Sequence, residues 1–167
     1  MIKVFDNLLD EEAHKRIESV LLNADFPWFF NTIKVNRQHS DNLNNFQFTH
    51  AFYSDYAVKS QYSALIEPIL VKLNPSAIVR IKANLTTVTD KIIEYQMHRD
   101  FDYFDGWTAI YYVNTNNGYT VFENGECVDS IANRLVVFPA TLAHAGTTST
   151  DQKVRSVINF NFYKWTE

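Results

Sequence analysis

A mainly β fold is predicted for this chain: a double-stranded β-helix, or jelly roll, buttressed by two N-terminal helices (α+β in content). Three observations predict it. Residues 77 to 164 divide into eight short apolar runs separated by turn residues, a strand number that suits a jelly roll. Asn116-Asn117-Gly118 and Asn124-Gly125 lie between such runs, and Asn-Gly signals a hairpin because both residues tolerate positive φ. Aromatic residues make up 15% of the chain, with 13 Phe and 9 Tyr, and aromatics suit strands.

The elements follow in order. Residues 2–5, Ile-Lys-Val-Phe, read as a short first strand. Asp10 is placed to cap a helix over 11–24, and Glu11 and Glu12 put negative charge in its first turn, where the helix dipole favours it. Ala13, Ile17, Val20, Leu21 and Ala24 repeat at helical spacing. His14 belongs to this helix and is given no role in a site. Phe29, Phe30, Ile33 and Val35 suggest one strand, and Phe46, Phe48 and His50 another. The polar run from Asn36 to Asn45 between them reads as a loop, so 29–50 is the expected lid. His39 and His50 fall here, read either as exposed loop or strand-edge residues or as groups that gate or touch substrate.

A second helix is predicted over 56–73, where Val58, Tyr62, Leu65, Ile66, Ile69, Leu70 and Leu73 recur at three- and four-residue steps. Pro68 is expected to kink or split it, and Asn74-Pro75 to end it. Strands are then read at 77–88, 92–98, 107–114, 119–123, 126–131, 134–139, 144–149 and 154–164. Repeats, low-complexity tracts and linkers are absent from the sequence. Residues 1–167 therefore read as one domain, with 1–76 as helical support and lid and 77–165 as the jelly-roll core.

Composition narrows the function. The 46% hydrophobic and 20% charged fractions are ordinary for a globular chain. A formal charge of −4 argues against broad nucleic-acid binding. A single cysteine, Cys127, excludes a disulfide framework and suits a reducing compartment. No apolar run approaches the roughly 18 residues that span a bilayer, and Asp6, Asp10, Glu11 and Glu12 break any signal-peptide pattern. The expectation is a soluble, intracellular, cytoplasmic protein with no membrane partner.

The chemistry centres on Tyr95–Asp105, which contains His98-x-Asp100. On extended backbone, residues two apart point the same way and lie about 6–7 Å apart, so an imidazole and a carboxylate converge near enough to share a metal ion. His144 follows the apolar run Arg134–Pro139 and is the candidate third ligand. Two imidazoles and one carboxylate on one face of a metal leave its other positions open, the arrangement tied to non-haem Fe(II) oxygenases. Arg155 opens the last strand, and its planar guanidinium suits bidentate capture of a carboxylate.

His98-x-Asp100, then His144, then Arg155 on the final jelly-roll strand resembles the Fe(II)/2-oxoglutarate-dependent oxygenases, particularly their prolyl 4-hydroxylase-like branch. The resemblance covers roughly 77–165. It implies that His98, Asp100 and His144 hold Fe(II), and that Arg155 pairs with the distal carboxylate of 2-oxoglutarate. It implies a dioxygenase that uses dioxygen, decarboxylates 2-oxoglutarate to succinate and hydroxylates a second substrate. Thr108–Asn114 is similar to the family strand whose tyrosine helps bind that carboxylate; Tyr112 is the match, open between that role and a core aromatic. Asn159 shares the face of Arg155. Asn84 or Thr86 stands where some prolyl hydroxylases carry a tyrosine for 2-oxoglutarate, a departure from the family pattern. Asp102, Tyr103, Asp105 and Trp107 follow the metal pair and either touch substrate or form a solvated loop.

The reading is thus a small hydroxylase acting on a prolyl or other protein residue, a free amino acid or another small molecule. Two rivals remain from other classes: a cupin-like metalloprotein that does not use 2-oxoglutarate, and a non-catalytic jelly-roll binding module.

Overall fold

The computed structural model describes residues 1–32 and 43–164. Strand β1 (Lys3–Phe5) precedes helix α1 (Glu11–Leu21). Asp10 caps that helix: its carboxylate accepts the Ala13 backbone N–H at 2.8 Å, with Glu11 and Glu12 in the first turn. His14, Ile17 and Leu21 form the buried stripe, and the helix closes at Leu22, short of residue 24.

Strands β2 (Phe29–Asn31), β3 (Gln47–Ser54) and β4 (Ala57–Val58) follow. The rest of the expected lid, residues 33–42 with His39, lies outside the described residues. The helix expected over 56–73 is composite and shorter. Val58 pairs with Tyr53 in the β3–β4 hairpin, a 3₁₀ turn covers Ser63–Ile66, and helix α2 occupies Glu67–Leu73. Pro68 explains the difference. Lacking an N–H, proline suits a first helical turn, so it starts α2 instead of bending a longer helix. Asn74, left-handed at φ 45°, ends α2 with its N–H on the Leu70 carbonyl.

The remaining strands are β5 (Ala77–Thr87), β6 (Trp107–Tyr112), β7 (Tyr119–Phe122), β8 (Cys127–Asp129), β9 (Arg134–Pro139), β10 (His144–Gly146) and β11 (Val154–Tyr163). An eight-stranded sheet runs β1-β9-β6-β11-β5-β3-β2, with β4 joined to β3, and a three-stranded sheet runs β10-β7-β8. Every pairing is antiparallel. Gly125, at φ 83°, makes the β7–β8 turn that Asn124-Gly125 predicts. Segment 92–98 is not a strand. It touches the β10 region through two isolated bridges, Glu94 with Thr147 and His98 with His144, because the three-residue β10 offers little backbone to pair with.

Alternation along β5 and β11 divides the molecule into two sides. Ile81, Ala83, Ile158, Phe160 and Phe162 join Ile17 and Leu21 of α1 and Ile66 and Ile69 near α2 in the larger core. Burying each such side chain favours folding by about 1.5–3 kcal/mol, and this apolar face fixes the register of both strands. The intervening residues, Arg80, Lys82, Asn84 and Thr86 on β5 and Arg155, Val157 and Asn159 on β11, line a cleft. A smaller core that includes Tyr112, Phe122, Phe138 and Val157 joins the two sheets. Among the described residues, no helix is long and apolar enough to cross a membrane.

Candidate active site

The site is built on a backbone pair. His98 and His144 each donate an N–H to the other's carbonyl at 2.9 Å, and this reciprocal pairing sets the imidazoles side by side with centroids 4.9 Å apart. Asp100 brings its carboxylate to the same point. One donor atom from each of His98, Asp100 and His144 lies within 4.8 Å of the others.

The donor chemistry fits a divalent ion. His98 Nδ1 sits 3.1 Å from the Gln96 carbonyl, a bond that makes it the N–H nitrogen and leaves Nε2 to present a lone pair. Burial, with the nearby His98 adding to it, pushes the His144 imidazole down to about 4 against the opposing effects of Asp100 and the Leu142 carbonyl. His144 is therefore neutral near pH 7. Its Nδ1 is buried and makes no hydrogen bond among the described residues. Burial pulls Asp100 upward, but Arg80, His144, the Asn161 hydrogen bond and His98 outweigh it and hold the carboxyl below its ordinary range. A neutral His144, the His98 imidazole and an ionised carboxylate suit a first-row divalent metal.

Asp100 is aimed by residues on two strands. Arg80 Nη2 donates to Oδ1 at 2.8 Å, and Asn161 Nδ2 donates to Oδ2 at 2.8 Å. Arg80 Nε also donates to Asn161 Oδ1 at 3.2 Å, while its guanidinium lies 4.5 Å from the Phe101 ring centroid. Partners of this kind hold a metal-binding carboxylate in one orientation. Their roles are missing from the motif. The available signal is Arg80-x-Lys82-x-Asn84-x-Thr86, four polar side chains on one face of a strand that is apolar on the other.

Arg155 stands further along the same cleft. Its Nε donates to Ser130 Oγ at 2.8 Å, and Nη2 donates to the Tyr119 carbonyl at 3.2 Å. Among the described residues Nη1 makes no hydrogen bond, and no carboxylate pairs with the guanidinium. Burial pushes Arg155 below its ordinary value, but a guanidinium stays charged in a protein. A buried cation without an acid is costly to hold and is relieved when a ligand brings one.

Tyr112 sits beside Arg155, its ring centroid 5.8 Å from the guanidinium carbon. Its hydroxyl donates to Thr120 Oγ1 at 2.8 Å, and burial pushes it up to about 12. Tyr112 is wholly buried, and the cleft wall there is formed by Thr120. Asn84, Thr86 and Asn159 do line the cleft, each with a buried side-chain oxygen that has no partner among the described residues. The cleft encloses about 220 Å³, and its orphaned polar atoms call for a polar ligand.

The other sequence candidates lie elsewhere. His50 is tied to the Pro27 carbonyl and to Ser60 Oγ, and His14 to the Tyr111 hydroxyl. Tyr103 is fully exposed and Trp107 begins β6 under the Lys164 ammonium. Gln47 of β3, unremarked in the sequence, lines the cleft.

The fold is one shared by solved Fe(II)/2-oxoglutarate oxygenases, prolyl hydroxylases among them. An oxidoreductase of the 2OG-Fe(II) oxygenase family from Burkholderia pseudomallei matches with a TM-score of 0.68 at 14% identity, covering 99% of this chain and 86% of its own. A prolyl hydroxylase from Trichoplax adhaerens, solved in complex with a hypoxia inducible factor peptide fragment, matches at 0.67 and 12% identity over 98% and 83%. A Pseudomonas putida prolyl-4-hydroxylase matches at 0.63 and 14% identity over 98% and 92%. No family model matches the sequence, and no curated protein does.

Proposed function

We propose that the protein is an Fe(II)- and 2-oxoglutarate-dependent dioxygenase that hydroxylates a peptidyl or small-molecule substrate. One observation carries this reading: a two-histidine, one-carboxylate cluster shares a cleft with a buried guanidinium that has no acidic partner among the described residues. His98, Asp100 and His144 would hold the iron, and Arg155 would bind the distal carboxylate of 2-oxoglutarate. Bound iron supplies the centre at which 2-oxoglutarate, dioxygen and a substrate C–H become succinate, carbon dioxide and a substrate C–OH.

The chain's own residues prepare that chemistry. His144 arrives neutral, so no proton has to leave before a metal binds. Arg80 and Asn161 hold Asp100 ionised and aimed. Ser130 and the Tyr119 carbonyl fix the Arg155 fork with Nη1 left as a donor, so a carboxylate meets a preset partner. Asn84 and Asn159 line the same cleft and offer further polar contacts to what it holds. The prolyl hydroxylases among the structural neighbours, one solved with a peptide, support a peptidyl or amino-acid substrate.

The test is succinate release from 2-oxoglutarate by the Fe(II)-loaded protein in air, with no second substrate added. Slow release is expected, abolished in His98→Ala and reduced at least tenfold in Arg155→Ala. Activity on a substrate that ignores 2-oxoglutarate and survives Arg155→Ala would instead favour the cupin-like metalloprotein.

A further inference from the structure

We propose that the substrate oxidised here is a small molecule bearing a free carboxylate, and that Lys82 binds that carboxylate. The inference rests on the Fe(II)/2-oxoglutarate reading of the site. Its starting point is a charge contrast. The chain as a whole carries −4, yet Arg80, Lys82, Arg99 and Arg155 line the cleft against a single acid, Asp100.

Most of that charge has a counterpart. Asp100 answers Arg80 at 2.8 Å. One carboxylate of 2-oxoglutarate would answer Arg155, and the other would cancel half the charge of a ferrous ion. Lys82 and Arg99 are left over, with no ion pair among the described residues. Arg99 is exposed at the rim, whereas Lys82 is half-buried on the floor. Burial and the nearby Arg80 disfavour its charged form and Asp100 offsets them only in part, so an anion beside it would relieve the site.

Position separates Lys82 from the 2-oxoglutarate end. In the β5–β11 pairing Arg155 stands opposite Thr86, and Lys82 stands opposite Asn159. Thr86 and Lys82 are thus about 13 Å apart along β5 at roughly 3.3 Å per residue, so one carboxylate does not serve both cations. Asn159 across the strand and Asn84 two residues along each keep a buried amide oxygen without a partner among the described residues. The two ends of an amide are interchangeable by a flip, so either asparagine can turn an NH₂ toward an oxyanion at Lys82. The cleft of about 220 Å³ must also seat 2-oxoglutarate, so the room left at Lys82 suits a small carboxylate and not a peptide segment or a nucleic acid strand.

The test uses the full chain loaded with Zn(II), which is redox-inert, and saturated with 2-oxoglutarate. L-Glutamate, L-aspartate and propionate are titrated while backbone amide resonances of residues 80–86 and 157–161 are followed by NMR, with glutamine amide as the carboxylate-free control. The carboxylates are expected to shift these resonances and the control to leave them in place. Carboxylate affinity should fall at least tenfold in Lys82→Gln and return in Lys82→Arg, with the affinity for 2-oxoglutarate itself within twofold of wild type in both. Two results would overturn the assignment: no carboxylate response while 2-oxoglutarate still binds, or a tenfold loss of 2-oxoglutarate affinity in Lys82→Gln, which would place that co-substrate's own carboxylate at Lys82. Failure of Zn(II) and 2-oxoglutarate to bind at all would instead sink the underlying reading of the site.

Discussion

Gly118 makes room for the Arg155 guanidinium. A Cβ on Gly118 would meet the Thr148 carbonyl oxygen at 2.7 Å and Arg155 Cδ at 2.8 Å. The first contact is with backbone, so the strain falls on the arginine stem and on Asn116 Oδ1, which the same Cβ would meet at 2.8 Å. Gly118→Ala is expected to cost about 1–3 kcal/mol of stability, as over-packing does, and to displace the fork that Ser130 holds. Calorimetry on the Zn(II)-loaded variant should show 2-oxoglutarate affinity reduced at least tenfold and Zn(II) affinity within threefold. Unchanged 2-oxoglutarate affinity would mean that Arg155 is not its anchor. The Asn-Asn-Gly spelling marks this glycine as a turn residue; its second duty, toward a side chain far along the chain, is invisible until the strands are assembled. The same holds for Arg80 and Asp100. His98-x-Asp100 is legible because its partners are two residues apart, while the cation that aims Asp100 comes from another element.

At the scale of elements, what was legible was what local physics decides. Alternation along β5 and β11 and the Asn124-Gly125 turn fix most strands close to their read boundaries; Asn116-Asn117-Gly118 makes no hairpin, because it carries the chain from β6 in the large sheet to β7 in the small one. Asp10 fixes the start of α1, and Asp10→Ala is expected to lower stability by about 1 kcal/mol in a urea titration while leaving metal affinity unchanged. A loss of metal affinity would couple α1 to the site in a way its place on the far side of the large sheet does not provide. The second helix is shorter than its apolar stripe because that stripe continues through Val58 and Tyr62, which belong to a hairpin and a turn. Periodicity reports which face is buried, and a 3₁₀ turn followed by a short helix buries nearly the same positions. Segment 92–98 reads as a strand for a similar reason: it runs alongside β10 and Thr147 and makes two isolated bridges there, without enough partner backbone for a ladder.

For the whole molecule, the buried histidines predict an acid limit for the metal-free protein. His144 is pushed down to about 4, so it stays neutral in the fold while the unfolded chain takes up protons near 6.5. Stability is therefore full above pH 6.5 and falls as the pH drops toward 4, by up to about 1.4 kcal/mol per pH unit for His144, with the burial of His14 acting in the same direction. Asp100 acts lower. Its carboxyl is depressed below 3.8, so its contribution is lost only as the pH falls through that lower value. Urea midpoints between pH 7.5 and 4.5, in the presence of a chelator, should fall steadily below pH 6.5. A flat profile would contradict a neutral, buried His144. The acidity of the chain also misdirects if read alone: a charge of −4 coexists with a cationic cleft, and a net charge does not disclose how the charges are arranged.

The most direct measurement is an anaerobic titration of the metal-free protein, first with Fe(II) and then with 2-oxoglutarate, observed in the visible spectrum. The assignment of His98, Asp100, His144 and Arg155 predicts a charge-transfer band that needs both additions, disappears in His98→Ala and weakens in Arg155→Ala. Iron binding with no band on adding 2-oxoglutarate, or a band that His98→Ala leaves intact, would contradict it.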